Sequence, residues 1–294
     1  MRKGNEYALV TAARNEERHI ELTIESVVAQ IILPVKWVIV SDGSTDRTDD
    51  IVKGYADRHD FIQYERKLED RSQAGFESKV YALRVGHSKL EETDYSYVGH
   101  LDADVSFDQT YYERLIAKFQ QNSRLGIAGG YIYEERDGQF QIRRTNTVRS
   151  VAGAVQLFRK ECYQQIGGVD PVRVGGEDSI AETKARMRGW EVEAFPELLV
   201  FHHRSSLSKR GAVRDVIRQG KMDYCVGCHP LFEVAKCFRR LKDEPFPLHP
   251  LLRMAGFWWS YLSRRRRPVA KEVVAFLRNE QIERLKAFFK MSNH

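Results

Sequence analysis

Apolar runs alternate with amphipathic segments through the first hundred residues of the chain. Short apolar runs of the kind that form buried strands occupy residues 7–10, 37–40, 61–64 and 95–101. Between them, apolar residues recur at helical spacing over residues 20–28, 51–55 and 78–86. Strands that alternate with helices indicate a mostly parallel sheet with helices on both faces. Ligands of such sheets bind at the carboxyl ends of the strands.

The second half of the chain follows a different pattern. An Asp137-Gly138 turn lies between two apolar runs and predicts a β-hairpin. Further strands are predicted at residues 154–158 and 198–201, with a helix at residues 179–188 between them. Helical patterns predominate from residue 208 onward, and Pro268 begins an amphipathic segment that runs to Lys290. We expect this segment to pack on the core, with dimer formation and lipid contact as alternatives.

Composition limits the class of protein. Hydrophobic residues make up 42% of the 294 positions and charged residues 30%, which excludes wholesale disorder. The four cysteines are irregularly spaced, which excludes a disulfide scaffold and fits a reducing compartment. No apolar run reaches about 18 residues, and no signal peptide is recognisable. The prediction is a cytoplasmic protein without a membrane span.

Charge separates the chain into two regions. The net charge is +6, but residues 1–206 carry −5 and residues 207–294 carry +11. A boundary is therefore predicted near residue 206, between an acidic body and a basic, mainly helical C-terminal region. Such regions bind nucleic acid, anionic lipid or polyanionic substrates. Aromatic residues precede four arginines within residues 257–267, which favours a membrane surface over a solvated face, and both over nucleic acid.

A second motif in the C-terminal region contains metal-ligand residue types. The sequence CVGCH at residues 225–229 has the form of a c-type haem attachment site. Packing of Cys225 and Cys228 between helices is the favoured interpretation, because no export signal accompanies the motif. Zinc bound by these cysteines, His229 and Cys237 is the alternative.

Two carboxylates follow the apolar run that ends at Leu101. Asp102 and Asp104 are two positions apart, so on an extended chain their side chains point the same way. Their mutual repulsion calls for a proton or a cation, and a hard divalent ion that also contacts phosphate oxygens is a natural partner. The alternative is a solvated turn.

Three more segments place polar residues at the ends of strands or helices. Asp42, in the sequence SDGSTD, follows the second strand, where it either accepts hydrogen bonds from a base or ribose or only forms a turn. Glu177 and Asp178 begin a helix, either as a general base or as a complement to the helix dipole. His202 and His203 end a strand and are either metal ligands or structural residues.

These segments together resemble family 2 glycosyltransferases of the GT-A fold. They stand in the family's order and are TAARNE at residues 11–16, VSDGSTD at residues 40–46, LDAD at residues 101–104, and GED at residues 176–178 with Arg186 and Gly189-Trp190 downstream. The resemblance spans residues 7–205, although Ser41 stands where family members often carry the first of two aspartates. It implies an α/β GT-A catalytic domain over residues 1–206, with a mostly parallel, Rossmann-like mixed sheet, and a helical appendage over residues 207–294.

The resemblance also implies a role for each matching residue. Asp178 would be the catalytic base, with Glu177 beside it contacting the acceptor or the backbone. A divalent metal, Mn²⁺ or Mg²⁺, would be held by Asp104 with Asp102 and by one of the two histidines, His202 being favoured over His203. Contacts with the nucleotide sugar would come from Thr11, Ala13, Asn15, Glu16, Asp42, Arg71, Lys79, Asp102 and Ala103.

The implied function is inverting transfer of a sugar from a nucleotide diphosphosugar, expected to be a UDP-sugar, to an acceptor hydroxyl. We expect a lipid-linked or polysaccharide-precursor acceptor, peripheral contact with the inner face of a membrane, and no nucleic-acid partner. The main alternative is a sugar nucleotidyltransferase, but those enzymes carry a glycine-rich loop after the first strand, and residues 11–15 lack glycine. A catalytically inactive glycan- or lipid-binding relative is the other alternative, against which the presence of Asp102, Asp104 and Asp178 argues.

Overall fold

The computed structural model describes residues 4–67, 75–136, 138–204, 212–241 and 246–291, which form nine strands and ten helices. The strands are β1 (Tyr7–Ala13), β2 (Lys36–Ser41), β3 (Ile62–Arg66), β4 (Tyr97–Leu101), β5 (Val105–Phe107), β6 (Leu125–Arg136), β7 (Gln139–Ile142), β8 (Val155–Arg159) and β9 (Glu191–His202). The helices are α1 (Ile20–Val28), α2 (Thr48–Ala56), α3 (Glu77–Ser88), α4 (Tyr111–Gln121), α5 (Lys160–Ile166), α6 (Glu177–Met187), α7 (Ala212–Val226), α8 (Pro230–Arg239), α9 (His249–Leu262) and α10 (Lys271–Met291).

These strands form one mixed sheet in the order β3-β2-β1-β4-β8-β6-β9-β5, with β7 paired to β6. In the first half, β1 pairs in parallel with both β2 and β4, and β2 pairs in parallel with β3. In the second half, β8 runs antiparallel between β4 and β6, while β9 pairs in parallel with β6 and antiparallel with β5. The predicted alternation of strands and helices is thus confirmed, and every antiparallel pair includes at least one of the strands β6 to β9.

Both faces of the sheet are covered, which explains the apolar runs that mark its strands. On one face, Ile24 of α1, Val52 of α2 and Leu115 of α4 pack with alternate side chains of β1 and β2. On the other face, Leu83 of α3 and Ala185 of α6 pack with the intervening positions. Helices α3 and α6 therefore lie on the same side of the sheet, where their first turns flank the carboxyl ends of the strands.

The C-terminal helices pack directly on this body. Val273 and Val274 of α10 contact Val172 and Ile180, as expected for the amphipathic segment after Pro268. The division into two domains at residue 206 stays a prediction, and these contacts make the C-terminal helices part of one packed structure. None of the helices in the described ranges combines the length and apolarity that crossing a bilayer requires.

A sealed cluster of charges joins α7, α8 and α9. Arg253 Nη2 lies 2.5 Å from Asp223 Oδ2 and Arg253 Nε lies 3.1 Å from Glu233 Oε1, while Lys236 Nζ lies 2.6 Å from Asp223 Oδ1. The thiols of Cys228 and Cys237 are buried and contact the carboxylate of Glu233. We expect this cluster to hold the three helices together.

The CVGCH motif lies at the end of α7 and the start of α8. Cys225 packs with Tyr224 and Phe257 in an apolar cluster between α7 and α9. His229 is the N-cap of α8, and its Nδ1 accepts a hydrogen bond from the Leu231 backbone N–H. The described contacts of these residues are those of helix packing and capping.

Candidate active site

The polar segments predicted from the sequence converge at one edge of the sheet. The loops after β1, β2 and β4 begin at neighbouring positions, because these strands are adjacent and parallel. Lys79 in the first turn of α3 and the first turn of α6 reach the same edge. The fold therefore brings together predicted side chains that are far apart in the chain, since Glu16 and Asp178 are separated by 162 positions.

Lys79 lies within electrostatic range of four carboxylates, those of Asp102, Asp104, Glu177 and Asp178. Its Nζ is 2.5 Å from Asp102 Oδ1. Burial lowers the pKa of Lys79, but Asp102, Glu177 and Asp178 raise it by more, so the net direction is upward. The same region shifts Glu177 the other way: burial and the neighbouring Asp178 raise its pKa, and Lys79 opposes them only in part. The ammonium group of Lys79 thus lies within electrostatic range of both Asp102, predicted to contact the nucleotide sugar, and Asp178, the predicted base.

The backbone before α6 places Glu177 and Asp178. Gly176 is the N-cap of α6 with φ of +99°, and a Cβ there would lie 2.7 Å from Val226 Cγ1 of α7. Asp178 packs on Gly153, where a Cβ would lie 3.0 Å from Asp178 Oδ2. Glycine at both positions lets the helix begin against α7 and lets the Asp178 carboxylate approach the loop before β8.

A second group of ionisable side chains surrounds Asp104. His202 Nε2 lies 3.4 Å from Asp104 Oδ1, and Arg204 Nε lies 3.6 Å from Asp104 Oδ2. Arg204 also reaches Glu16, with 2.5 Å between its Nη2 and Glu16 Oε2. Burial opposes protonation of His202, but Asp104 raises its pKa by more. Burial and Asp104 raise the pKa of Glu16 to about 7, against the effect of Arg204.

The two adjacent histidines point to different surroundings. His202 is the last residue of β9 and His203 follows it, and consecutive side chains of an extended chain face opposite sides. The ring of His203 pairs with Ser106, at 2.8 Å between Nε2 and Oγ, and stacks on His19. Only the backbone N–H of His203 contacts Asp104, by donating to its carbonyl oxygen at 2.9 Å. Of the two predicted metal ligands, His202 is the one whose ring faces the carboxylate.

A metal ion fits this group when a ligand from outside the chain completes it. The 3.4 Å between Asp104 Oδ1 and His202 Nε2 is near the ~3 Å between adjacent ligands of an octahedral ion with bonds of about 2.1 Å. The Nδ1 atom of His202 is buried without a hydrogen-bond partner. Within the described ranges, no group of three His, Cys, Asp or Glu side chains has the spacing to hold a metal. Few protein ligands are usual for ions that are completed by substrate phosphates.

On the other side of the site, Asp42 is held by a lysine. Lys67, just after β3, donates from Nζ to Asp42 Oδ1 at 2.5 Å and to Ser78 Oγ at 3.1 Å. Thr11 is fully buried, and its hydroxyl accepts a hydrogen bond from Trp37 Nε1 at 3.0 Å, so its side chain faces the core. The predicted contact of Thr11 with a nucleoside would therefore have to come from its backbone. This contact stays a prediction.

The remaining predicted binding residues lie close to this pocket or outside the described ranges. Asn15, with φ of +55°, accepts from the Thr45 backbone N–H at 2.8 Å and so joins the loops after β1 and β2. Ala13 is buried at the end of β1, and Ala103 is buried in the turn between β4 and β5. Arg71 lies outside the residues that the structure describes.

Two residues of the site were not predicted from the sequence. Lys67 and Arg204 each pair with a predicted carboxylate, yet they are single members of a set of 47 basic residues. The only signal available was their position, since each follows a strand by one or two residues. A basic residue at a strand end becomes informative only when the order of strands in the sheet is known.

Helix α7 borders the site on the side of the base. Arg218 donates from Nη1 to the Val174 carbonyl at 3.1 Å, and its guanidinium lies 4.3 Å from the centre of the Phe76 ring. Phe76 precedes the turn that carries Lys79, and Val174 precedes the turn that carries Glu177. The C-terminal region thus contacts both segments that bring charge to the site.

Solved structures with a similar fold include complexes with nucleotide sugars. A mannosyltransferase from Pyrobaculum calidifontis, PcManGT, solved in complex with GDP-Man and Mn²⁺, aligns with a TM-score of 0.57 and 18% identity over 92% of this chain and 78% of its own. Residues 1–349 of Staphylococcus aureus TarS in complex with UDP-GlcNAc align with a TM-score of 0.53 and 14% identity, over 88% of this chain and 73% of that one. These similarities show the predicted GT-A fold.

Sequence comparison leads to the same group of enzymes. The chain is 25% identical over 275 residues to the poly-beta-1,6-N-acetyl-D-glucosamine synthase of Staphylococcus aureus strain COL, and 24% identical over 210 residues to that of Staphylococcus epidermidis. These alignments cover 85% and 65% of this chain but only 61% and 48% of the two relatives. Residues 8–180 match the model of glycosyl transferase family 2, which is more than half of the chain. The protein therefore belongs to glycosyl transferase family 2.

Proposed function

We propose that this protein is an inverting, divalent-metal-dependent glycosyltransferase that moves a sugar from a nucleotide diphosphosugar to an acceptor hydroxyl. The observation that carries the proposal is the pair of carboxylate groups on either side of Lys79. Asp102 and Asp104 lie after β4, and Glu177 and Asp178 begin α6. One group is suited to the leaving diphosphate and its cation, and the other to the attacking hydroxyl.

The nucleoside would lie over the ends of β1, β2 and β3. Asp42 is oriented there by Lys67, and a carboxylate at this edge can accept hydrogen bonds from a base or a ribose. We favour a UDP-sugar as the donor, supported by the TarS structure in complex with UDP-GlcNAc. The GDP-Man complex of PcManGT makes a GDP-sugar the alternative.

The diphosphate would lie between Lys79 and Asp104. Asp104 and His202 would hold a divalent cation, Mn²⁺ or Mg²⁺, with Asp102 nearby and the diphosphate oxygens completing its coordination. When bound, such a cation supplies a Lewis acid that offsets the charge on the leaving diphosphate. Lys79 would add a fixed positive charge on the same side, because Asp102 holds its ammonium group in place.

Asp178 would act as the general base. As the acceptor oxygen forms its bond to the anomeric carbon, the Asp178 carboxylate takes the hydroxyl proton, and the bond from that carbon to the diphosphate oxygen breaks. The oxygen attacks opposite the leaving group, so a single displacement inverts the anomeric configuration. Glu177, whose pKa burial and Asp178 raise, would contact the acceptor or the backbone beside it.

The acceptor we favour is a lipid-linked glycan or a polysaccharide precursor, at the inner face of a membrane. The staphylococcal relatives are named as synthases of a polysaccharide, and this chain spans about half to three fifths of their length. The basic charge of residues 207–294 is a second argument, since lipid-linked acceptors lie at an anionic surface.

Release of nucleoside diphosphate from a panel of nucleotide sugars, with Mn²⁺ or with a chelator, tests the proposal. We expect metal-dependent release with at least one UDP-sugar, and a decrease of about 10²- to 10⁴-fold in turnover for Asp178→Asn. Thermal stabilisation of this variant by donor and metal should remain, because Asp178 lies on the acceptor side. Asp57→Asn, an exposed change at the end of α2, is the matched control.

Three outcomes would contradict parts of the proposal. Near-normal turnover of Asp178→Asn with normal donor binding would remove Asp178 as the base. Formation or consumption of pyrophosphate would identify a sugar nucleotidyltransferase instead. Donor binding without any turnover, across donors and acceptors, would indicate a catalytically inactive relative.

A further inference from the structure

The outward face of α9 carries no charged residue. Its exposed positions are Leu251, Ala255, Trp259, Tyr261 and Leu262. Trp259 is 71% exposed and Leu262 is 75% exposed, so these are large apolar side chains in contact with solvent. A helix on a protein surface normally shows polar residues on its outer side. The composition of the outer face of α9 is therefore typical of a surface that contacts an apolar partner.

The charged residue of α9 and its buried serine lie on the inner face of the helix. Arg253 is the only Lys, Arg, Asp or Glu residue of α9, and it is buried in the ion cluster with Asp223 and Glu233. Gly256 and Ser260 are also buried, and Ser260 bonds back to the Gly256 carbonyl. Because residues 253, 256, 257 and 260 face inward, residues 251, 255, 259 and 262 must face outward at 3.6 residues per turn.

Neighbouring segments extend this apolar surface. Phe246 and Leu248, just before α9, are 69% and 50% exposed. Helix α8, which packs against α9, exposes Leu231 and Phe238 on the side opposite its buried Glu233, and Leu241 is exposed just after the helix ends. Exposed apolar patches of this extent mark a protein interface or a membrane contact.

Arginines border this surface at the end of α9. Arg264, Arg265 and Arg266 are exposed directly after Leu262. Arg267 is different, because its Nε donates to the Tyr224 carbonyl at 3.0 Å and its guanidinium lies 4.2 Å from the centre of the Tyr224 ring. Three of the four arginines of this run are therefore available to a partner.

We propose that the outer face of α9 lies on an anionic lipid bilayer, with the apolar stripe of α8 beside it. Trp259 and Tyr261 suit the headgroup level, Leu251 and Leu262 would enter the acyl boundary, and Arg264–Arg266 would contact lipid phosphates. A second copy of this chain fits the surface less well, since the outer face of α9 carries no carboxylate that could pair with the arginines of that copy. The inference concerns where the protein binds and holds whether or not glycosyl transfer is its reaction.

Flotation of the purified full chain with vesicles tests this surface. We expect binding to vesicles of equimolar phosphatidylcholine and phosphatidylglycerol, and weaker binding to phosphatidylcholine alone. The double variant Trp259→Ser, Leu262→Ser should lose binding to both kinds of vesicle. Ile31→Ser, a change of an exposed apolar residue on the catalytic body, is the matched control and should bind as the unmodified chain does.

A triple variant separates the electrostatic part of the contact. Changing Arg264, Arg265 and Arg266 to Gln should weaken binding to the anionic vesicles about a hundredfold, because each cation near such a surface adds about 1 kcal/mol. Binding to phosphatidylcholine should change little. All altered side chains are exposed, so the melting temperature and the release of nucleoside diphosphate from a soluble donor should stay as in the unmodified chain.

Two results would overturn the proposal. The first is an unmodified chain that floats with neither vesicle, and the second is a double variant that floats as well as the control. If the unmodified chain instead forms a dimer in light-scattering measurements and the double variant is monomeric, a second copy covers the surface. Failure of vesicle binding with intact donor turnover would leave the proposed reaction standing.

Discussion

Two clusters of charge in this protein use the same residue types in opposite ways. In the cluster between α7, α8 and α9, the side chains of Arg253, Asp223 and Glu233 are 2%, 4% and 1% exposed. With Lys236, which is 27% exposed, the ion pairs of this cluster join two cations to two carboxylates. At the active site, the carboxylate is open as well, since the side chains of Lys79 and Asp102 are each 27% exposed. Charge whose carboxylates are buried and paired holds helices together, whereas open carboxylates are available to ligands.

The active site also differs from the buried cluster in its net charge, because carboxylates outnumber cations there. Around Lys79 and Arg204 lie five carboxylates, those of Glu16, Asp102, Asp104, Glu177 and Asp178. The surplus of negative charge at an open edge is unfavourable unless a cation and protons are supplied from outside. The active site is therefore incomplete by itself, while the sealed cluster is complete.

The largest expected effect is on stability. Arg253→Met leaves Asp223 and Glu233 buried with Lys236 as their remaining ion-pair partner and Arg240 within electrostatic range of Asp223, and we expect a loss of about 3–5 kcal/mol in the free energy of unfolding. Chemical denaturation measures it, and Arg266→Met on the exposed run is the control. A loss below about 1 kcal/mol, the scale of a surface ion pair, would show that the cluster is not structural.

The next effect is on activity. Lys79→Met removes the cation within range of Asp102, Glu177 and Asp178. We expect turnover of the donor to fall about 10²- to 10³-fold, as for the loss of one transition-state charge contact. The free energy of unfolding should change less than in Arg253→Met, since Asp102 is partly exposed to water. A large loss of stability with unchanged turnover would reverse the comparison between the two clusters.

A smaller effect is expected where α7 meets the active site. Gly176→Ala places a Cβ 2.7 Å from Val226 at φ of +99°, and we expect it to cost about 1–3 kcal/mol of stability and to lower turnover. Gly189→Ala is the matched control, with φ of +85° and no atom within 4 Å of its Cβ. Equal losses in both variants would mean that backbone strain alone acts and that α7 does not position Glu177.

The smallest effect concerns pH. Burial raises the pKa of Glu182 from 4.5 to about 7, with Asp178 adding to the shift and Arg186 opposing it. The folded chain thus holds this proton more tightly than the unfolded chain, so Glu182 contributes stability below pH 4.5 that is lost as the pH rises through 7.

Glu182→Gln should therefore flatten the fall in stability across this range, where one group contributes at most about 1.4 kcal/mol per pH unit. Urea denaturation at a series of pH values measures the slope. Glu283→Gln, an exposed change on α10, should leave the slope as it is. An unchanged slope in Glu182→Gln would show that Glu182 is ionised in the folded protein throughout.

The sequence predicted the parallel half of the fold well because strands buried on both faces appear as continuous apolar runs. No element was predicted for residues 105–121, where β5 has only three residues and α4 follows it within a few positions. The long strands β6 and β9 were predicted only in part, since their pairing shifts register between Gly130 and Tyr131. Such an irregularity depends on the partner strand and leaves no periodic signal.

The sequence was sufficient to predict the carboxylates of the site but not all of its cations. Asp102, Asp104, Glu177 and Asp178 stand in motifs whose local position already limits their chemistry. Lys67 and Arg204 have no such motif, and only the sheet order brings them to their partners. The same holds for the outer face of α9, because the sequence shows aromatic residues without showing which of them α7 covers.

The close contact between α7 and α9 determines how far the predicted base would lie from a bilayer that α9 contacts. A Cβ on Gly220 would lie 2.0 Å from the Arg253 carbonyl, so the two helix backbones nearly touch. Met222 and Val226 lie on the opposite side of α7 and contact Gly176. With α9 on a bilayer, the base would stand two helix layers, about 15–20 Å, above the lipid. Under the proposed membrane contact, an acceptor would have to extend that far from the lipid, and we would then expect a longer glycan to be a better acceptor than a single sugar attached to its lipid.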